Sequence, residues 1–264
     1  MNKLAYPLFI WKSHRGLAIF SILFITALQF LIIFLITSFD TAPIISAILK
    51  QIPQRFRILF GEQLVSMLSV RGAAAFGFNH PMVITLLSIN AIIIPTRHIS
   101  GEIESGTLEL LMAYPLSRTK LLLSLWFSGG LYLFIIVFCA LAGSLTGIAI
   151  YDQLTPELIT KMCQIGINLW LLFLLIMSYT LLISTFGKEG SKTGMSGAFV
   201  LLLFYFLFFI SSVWDLLKFT QTFNIFTYYQ PQKLMFGLRS LWLNIGVLGM
   251  LTSVCLFISL KQFN

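Results

Sequence analysis

Six apolar runs, each of about 18 residues or more, alternate with polar connections along the chain at 17–38, 79–96, 121–150, 163–186, 195–214 and 241–260. A helix of that length, rising ~1.5 Å per residue, crosses a hydrocarbon core ~30 Å thick. The pattern therefore predicts an all-α integral membrane protein with six transmembrane helices in a single domain over 1–264. An even number of crossings puts both termini on one side.

The flanks add detail. Residues 1–15, MNKLAYPLFIWKSHR, mix Lys3, Lys12, His14 and Arg15 with Leu4, Tyr6, Phe9 and Trp11, which predicts an interfacial helix in the headgroup plane before the first crossing. The run at 17–38 is longer than the 7–15-residue core of a secretory signal, and no small-x-small cleavage site follows it. At 39–78, Asp40, Pro43, Lys50, Pro53, Arg55, Arg57, Glu62 and Arg71 break the apolar pattern, as in an extracytoplasmic loop. Within it, Leu49, Ile52, Phe56, Leu59 and Phe60 recur at helical spacing, so an amphipathic helix is expected there.

Composition agrees with the pattern. Hydrophobic residues make up 58% and charged residues 10% of the chain, with a mean hydropathy of +0.94, against roughly 25% charged in soluble domains. The net charge of +8 comes from 17 basic residues spread over the polar connections rather than along one stripe. That points to anionic lipid headgroups and away from nucleic acid. Cys139, Cys163 and Cys255 lie inside apolar runs without CxxC spacing and read as small hydrophobes, not as a metal site or a disulfide framework.

The positive-inside rule divides the basic residues almost evenly, nine to eight of 17, when the termini are placed inside. The basic segment before the first crossing favours both termini in the cytoplasm. The connection at 97–120 is then cytoplasmic too.

Two motifs imitate catalytic sites. GKEGSKTG, Gly187 to Gly194, resembles a phosphate loop, but Ser191 stands where GxxxxGK[ST] needs a glycine and a membrane helix precedes it instead of a strand. It reads as a connector. GMSG, Gly194 to Gly197, matches the GxSG of rhomboid-type proteases, yet His14, His80 and His98 all precede Ser196, where that family needs a later histidine as base. Small residues that ease helix packing are the better reading, as they are for Gly143 and Gly147, whose packing partner the sequence leaves open.

The polar segment Arg97–Lys120, RHISGEIESGTLELLMAYPLSRTK, is the informative one. Ser100, Gly101, Ser105, Gly106 and Thr107 are poor helix-interior residues, so the second crossing should loosen or stop there. A new helix is expected from Thr107 to Ala113. Leu108, Leu111 and Met112 would form its apolar face, and Glu109 would sit near its positive end. Pro115 stops it, and PLSRTK resets the chain before the third crossing.

In order along the chain, Glu102, Glu104, Gly106, Thr107, Leu108, Leu111, Tyr114, Pro115, Ser117 and Arg118 resemble the signature of permease subunits of the type-two ABC exporter family. That signature runs acidic-x-acidic-x-Gly-Thr-Leu, leucines, then Tyr-Pro-Leu/Val-Ser-Arg. The TYYQP segment, Thr227 to Pro231, is similar to that family's aromatic-aromatic-x-Pro before the last helix. Ser124 and Leu125 depart from the Gly-Lys of many relatives. The YPLSR wording is also similar to the copper-accessory permease of nitrous oxide reductase assembly.

The resemblance implies a permease without catalytic residues, metal or cofactor of its own, paired with a separate ABC ATPase that holds ATP and Mg. It further implies two ATPase copies and a second permease protomer, identical or not, in the plasma membrane of a prokaryote. ATPase coupling would fall to a short cytoplasmic coupling helix between helices 2 and 3, with Glu102, Glu104, Gly106, Thr107, Leu108, Glu109, Leu111, Met112, Tyr114, Pro115, Ser117 and Arg118. An exposed apolar face with an acidic rim suits a partner's groove. Substrate export is the leading expectation. Force transmission to an extracytoplasmic protein and a non-transporting scaffold for an ATPase are the alternatives.

Overall fold

The computed structural model describes residues 5–38, 69–112, 117–151 and 154–263. Among them six helical spans are long and apolar enough to cross a membrane, and no strand occurs.

The first span is α1, Ala5–Ser38, a single helix of 34 residues. The expected division between an interfacial helix over 1–15 and a crossing from 17 is therefore not seen over the described part; Met1–Leu4 lie outside it. The reason is a stripe of buried side chains, Ile10, His14, Ala18, Ser21, Ile25, Gln29 and Ile33, that runs unbroken through Gly16 at three- and four-residue spacing. One interior glycine costs only ~1 kcal/mol relative to alanine, less than the several kcal/mol per unsatisfied backbone group that a break beside lipid would cost.

The expected amphipathic helix at Leu49–Phe60 lies outside the described residues. The end of the polar stretch at 39–78 is helical: α2, Val70–Phe78, is capped by the Ser69 hydroxyl and buries Gly72, Ala73, Ala74 and Ala75. A turn at Asn79–His80 leads into α3, Pro81–Pro95, where His80 Nδ1 accepts from the Met82 amide and Pro81 occupies the first turn. Because Pro95 offers no N–H, the ladder widens into a π turn, Thr96–Ser100, before a last α turn, Gly101–Glu104.

After the short helix α4, Thr107–Met112, come α5, Arg118–Ile150, and α6, Pro156–Phe186. They are followed by α7, Gly190–Val213, two 3-10 turns over 215–228, α8, Pro231–Met235, and α9, Leu241–Phe263. The most buried span is α6, which packs against α3, α5, α7 and α9. The long partner of α1 is α5.

The α1–α5 seam is close because Gly143 and Gly147 face α1. A Cβ on Gly143 would lie 2.6 Å from the Thr26 carbonyl oxygen, and one on Gly147 would lie 3.1 Å from Ile33 Cβ. The two glycines thus pack within the chain. Deeper in the bundle, Asn90 donates to Ser21 Oγ at 2.9 Å and to the Leu86 carbonyl at 2.7 Å, while the Tyr132 hydroxyl donates to Asn90 Oδ1 at 2.6 Å. The Asn90 amide thus holds α1, α3 and α5 together by hydrogen bonds away from water.

Contacts between helix ends define two faces. Ser13 and His14 of α1 meet His98 of the π turn, and Arg118 reaches the last turn of α9. The start of α1 and the end of α9 therefore lie on the face that carries α4, the near face. On the far face, Ser38 bonds Tyr151, and Arg71 pairs with Glu157 at 3.1 Å. There the buried Tyr229 hydroxyl donates to the Phe78 carbonyl at 2.8 Å and pins the 3-10 segment to the end of α2. Burial pushes its phenol well above the usual range, so it stays a donor. Tyr229→Phe strands that carbonyl and is expected to cost ~1–2 kcal/mol, read as a lower thermal midpoint in detergent.

Candidate functional site

The signature-bearing segment begins where α3 changes pitch. In the π turn, Ile99 and Ser100 are buried, and Ser100 Oγ donates to the Ser184 carbonyl at the end of α6 at 3.2 Å. His98 is buried against α1: its Nε2 lies 3.1 Å from His14 Nε2 and 3.2 Å from Ser13 Oγ, and its ring stands edge-on to Phe9. The near end of α3 thereby contacts both α1 and α6.

The chain then reverses. Ser105 Oγ donates back to the Gly101 carbonyl at 2.9 Å, and Gly106 adopts a left-handed φ of +72°, which a side chain would strain. Thr107 Oγ1 donates to the Glu102 carboxylate across this turn and lies 2.7 Å from Ser105 Oγ. The helix α4 is thus latched to the end of α3. Ser117 opens α5, accepting from the Lys120 amide at 3.3 Å, and Arg118 donates to the Phe263 carbonyl while its guanidinium stacks 5.8 Å above that ring.

A second connection closes on the first. Glu104 Oε2 accepts from the Gly190 amide at 2.8 Å, so a side chain of the α3 terminus caps the positive end of α7, 86 residues away. The approach is tight: a Cβ on Gly190 would lie 3.3 Å from Gly101 Cα and N. Glu189 pairs with Lys192 at 2.7 Å. The stretch that imitates a phosphate loop is therefore the seat for the α3 terminus, held by Glu104.

The imitation protease motif resolves similarly. Ser196 is exposed on α7, and its hydroxyl donates to the Lys192 carbonyl at 2.9 Å. His14 and His98 bond each other elsewhere on the near face, and His80 caps α3 at its far end. Among the described residues no three metal-ligating side chains converge, and the three cysteines sit on separate helices.

Residues 10–259 match the sequence profile of the ABC-2 family transporter proteins, nearly the whole chain. The chain belongs to that family. No curated protein matches it significantly. It is thus a permease subunit of an ABC transporter, a multi-pass membrane protein of a class whose membrane subunits are not ATPases and work with an ABC ATPase.

Of the residues expected to dock the ATPase, Leu108 is half-buried against the edge of the core. Glu109 and Glu104 are exposed and Glu102 is half-buried; Glu102 accepts from Thr107 and Glu104 from the Gly190 amide. The side chains of Leu111 and Met112, and Tyr114 and Pro115 altogether, lie outside the described residues. Reading the sequence missed Ser100, Ser184 and Gly190, whose roles come from contacts across more than 80 positions.

Proposed function

We propose that the permease is the membrane half of an ATP-driven exporter, with α4 as the coupling helix. Two copies pair with two ATPase subunits, which hold ATP and Mg, in the plasma membrane of a prokaryote. The near face, with both termini and Lys12, Arg15, Arg97, Arg118 and Lys120, is cytoplasmic.

The bond from Glu104 to the Gly190 amide carries this reading. A coupling element must transmit displacement, and α4 is latched through Thr107 to Glu102 and through Glu104 to the start of α7. Closure of the ATPase pair against α4 would then move α3 and α7 together relative to the α1–α5 pair, a two-state rearrangement of rigid helices. Exposed Glu109 and the chain around it supply the contact surface.

The test is a variant with Glu109→Lys and Leu108→Ala, co-expressed with the ATPase subunit. Roughly tenfold weaker co-purification is expected, with ATP turnover falling to that of the isolated ATPase, while the permease still elutes as a monodisperse species. Wild-type co-purification and turnover would show that α4 does not dock the motor.

A further inference from the structure

The face of α3 that is turned from α5 and the facing side of α7 enclose a cavity of about 800 Å³, within the range of small-molecule sites. Ile84, Ile89, Ile92, Met195, Ala198 and Leu202 line it along its length. Asn79 and Phe226 close its far end; Arg97, Gly101 and Gly190 surround its near end. From Ile84 to Arg97 a helix rises roughly 20 Å, more than the ~15 Å depth of one leaflet. The cavity is a slot with a greasy body and a single cation at its rim.

Arg97 is exposed and forms no ion pair among the described residues. The carboxylates on this face point to other donors, Glu102 to Thr107, Glu104 to the Gly190 amide and Glu189 to Lys192, and none of them is hydrogen-bonded to Arg97. An arginine at a membrane interface keeps its stem along apolar surface and its head at the headgroups, where its planar fork suits a phosphate or carboxylate.

Building on the transport reading above, we propose that the cargo is an anionic amphiphile of the near leaflet, its acyl tail in the slot between α3 and α7 and its acidic head on Arg97. Both walls of the slot are joined at Gly101–Gly190, the joint that α4 is latched to, so the same displacement that couples the motor would reshape the slot.

The experiment uses the full-length permease in nanodiscs containing a diazirine-acyl phosphatidylglycerol or the matching phosphatidylcholine, with photolabelled peptides mapped by mass spectrometry. Labelling at Ile84–Ile92 and Met195–Leu202 is expected to favour the anionic lipid roughly fivefold, the effect of one basic side chain at an anionic lipid surface. Arg97→Gln should remove that preference, and Arg97→Lys should restore part of it. Equal labelling by the two lipids, or a preference that survives Arg97→Gln, overturns the proposal. So does an Ile89→Cys disulfide between two copies with the slot unlabelled.

The labelling needs no ATPase, so its failure is separate from failure of α4 docking. In the complex with the ATPase, added phosphatidylglycerol should raise turnover in the wild type and not in Arg97→Gln. Labelling without that stimulation would overturn the cargo assignment.

Discussion

Gly143→Leu is expected to separate α1 from α5 and to lower the thermal midpoint of the purified permease more than any substitution on the lipid-facing side. Even the first atom of a side chain there would lie 2.6 Å from the Thr26 carbonyl oxygen, 2.7 Å from Thr26 Cγ2 and 3.1 Å from Thr26 Cα. Two of these are backbone atoms, so no rotamer change relieves the clash and one helix must move. Overpacking typically costs ~1–3 kcal/mol, occasionally more, and a seam this long leaves little room to relax. Gly16→Ala is the control: nothing lies within 4 Å of its Cβ position, and alanine should stabilise α1 by roughly 0.5–1 kcal/mol. Light-scattering melts of the two variants in detergent would show opposite shifts. Equal midpoints would mean that α1 is not held at this seam.

Gly190→Val is expected to uncouple the motor without releasing it. The added branches would press on Gly101 Cα and N, backbone that cannot swing aside, and would lift the start of α7 off the Glu104 carboxylate. This charge-assisted bond is exposed, so its own contribution is ~1 kcal/mol or less; the consequence is mechanical. The ATPase should still co-purify, since α4 and Glu109 are untouched. What should disappear is the ATP-dependent change in the rate at which a thiol reagent reaches Ala198→Cys in the slot. If that change persists in Gly190→Val, the α3–α7 joint does not transmit the stroke. Glu104→Gln, which keeps an acceptor oxygen, should lie between the two.

These variants act at places where distant parts of the chain meet, and there sequence and structure differ in what they reveal. The six crossings are legible in sequence because hydrocarbon tolerates only helices with satisfied backbones, and such helices need long apolar runs. The signature at Glu102–Arg118 is legible as ordered residue types, and Gly106 shows why one of them is glycine: its φ is +72°. The continuity of α1 was not legible, because the basic and aromatic residues before Gly16 resemble an interfacial helix. Only the buried stripe from Ile10 to Ile33 shows that one helix serves both parts. Likewise nothing in the sequence shows that Glu102 accepts from Thr107 and Glu104 from the Gly190 amide.

The sequence by itself determined an all-α membrane protein, its six crossings and the polar segment that carries the family signature, since these depend on local hydrophobicity and residue order. The tertiary structure alone decided that Gly143 and Gly147 face α1, that Glu104 caps α7, and that α3 and α7 enclose a slot with Arg97 at its rim. Each of those is a contact between residues about 85 to 120 positions apart. Periodicity fixes which face of a helix is apolar, but every face of a membrane helix is apolar, so only packing can choose its neighbour.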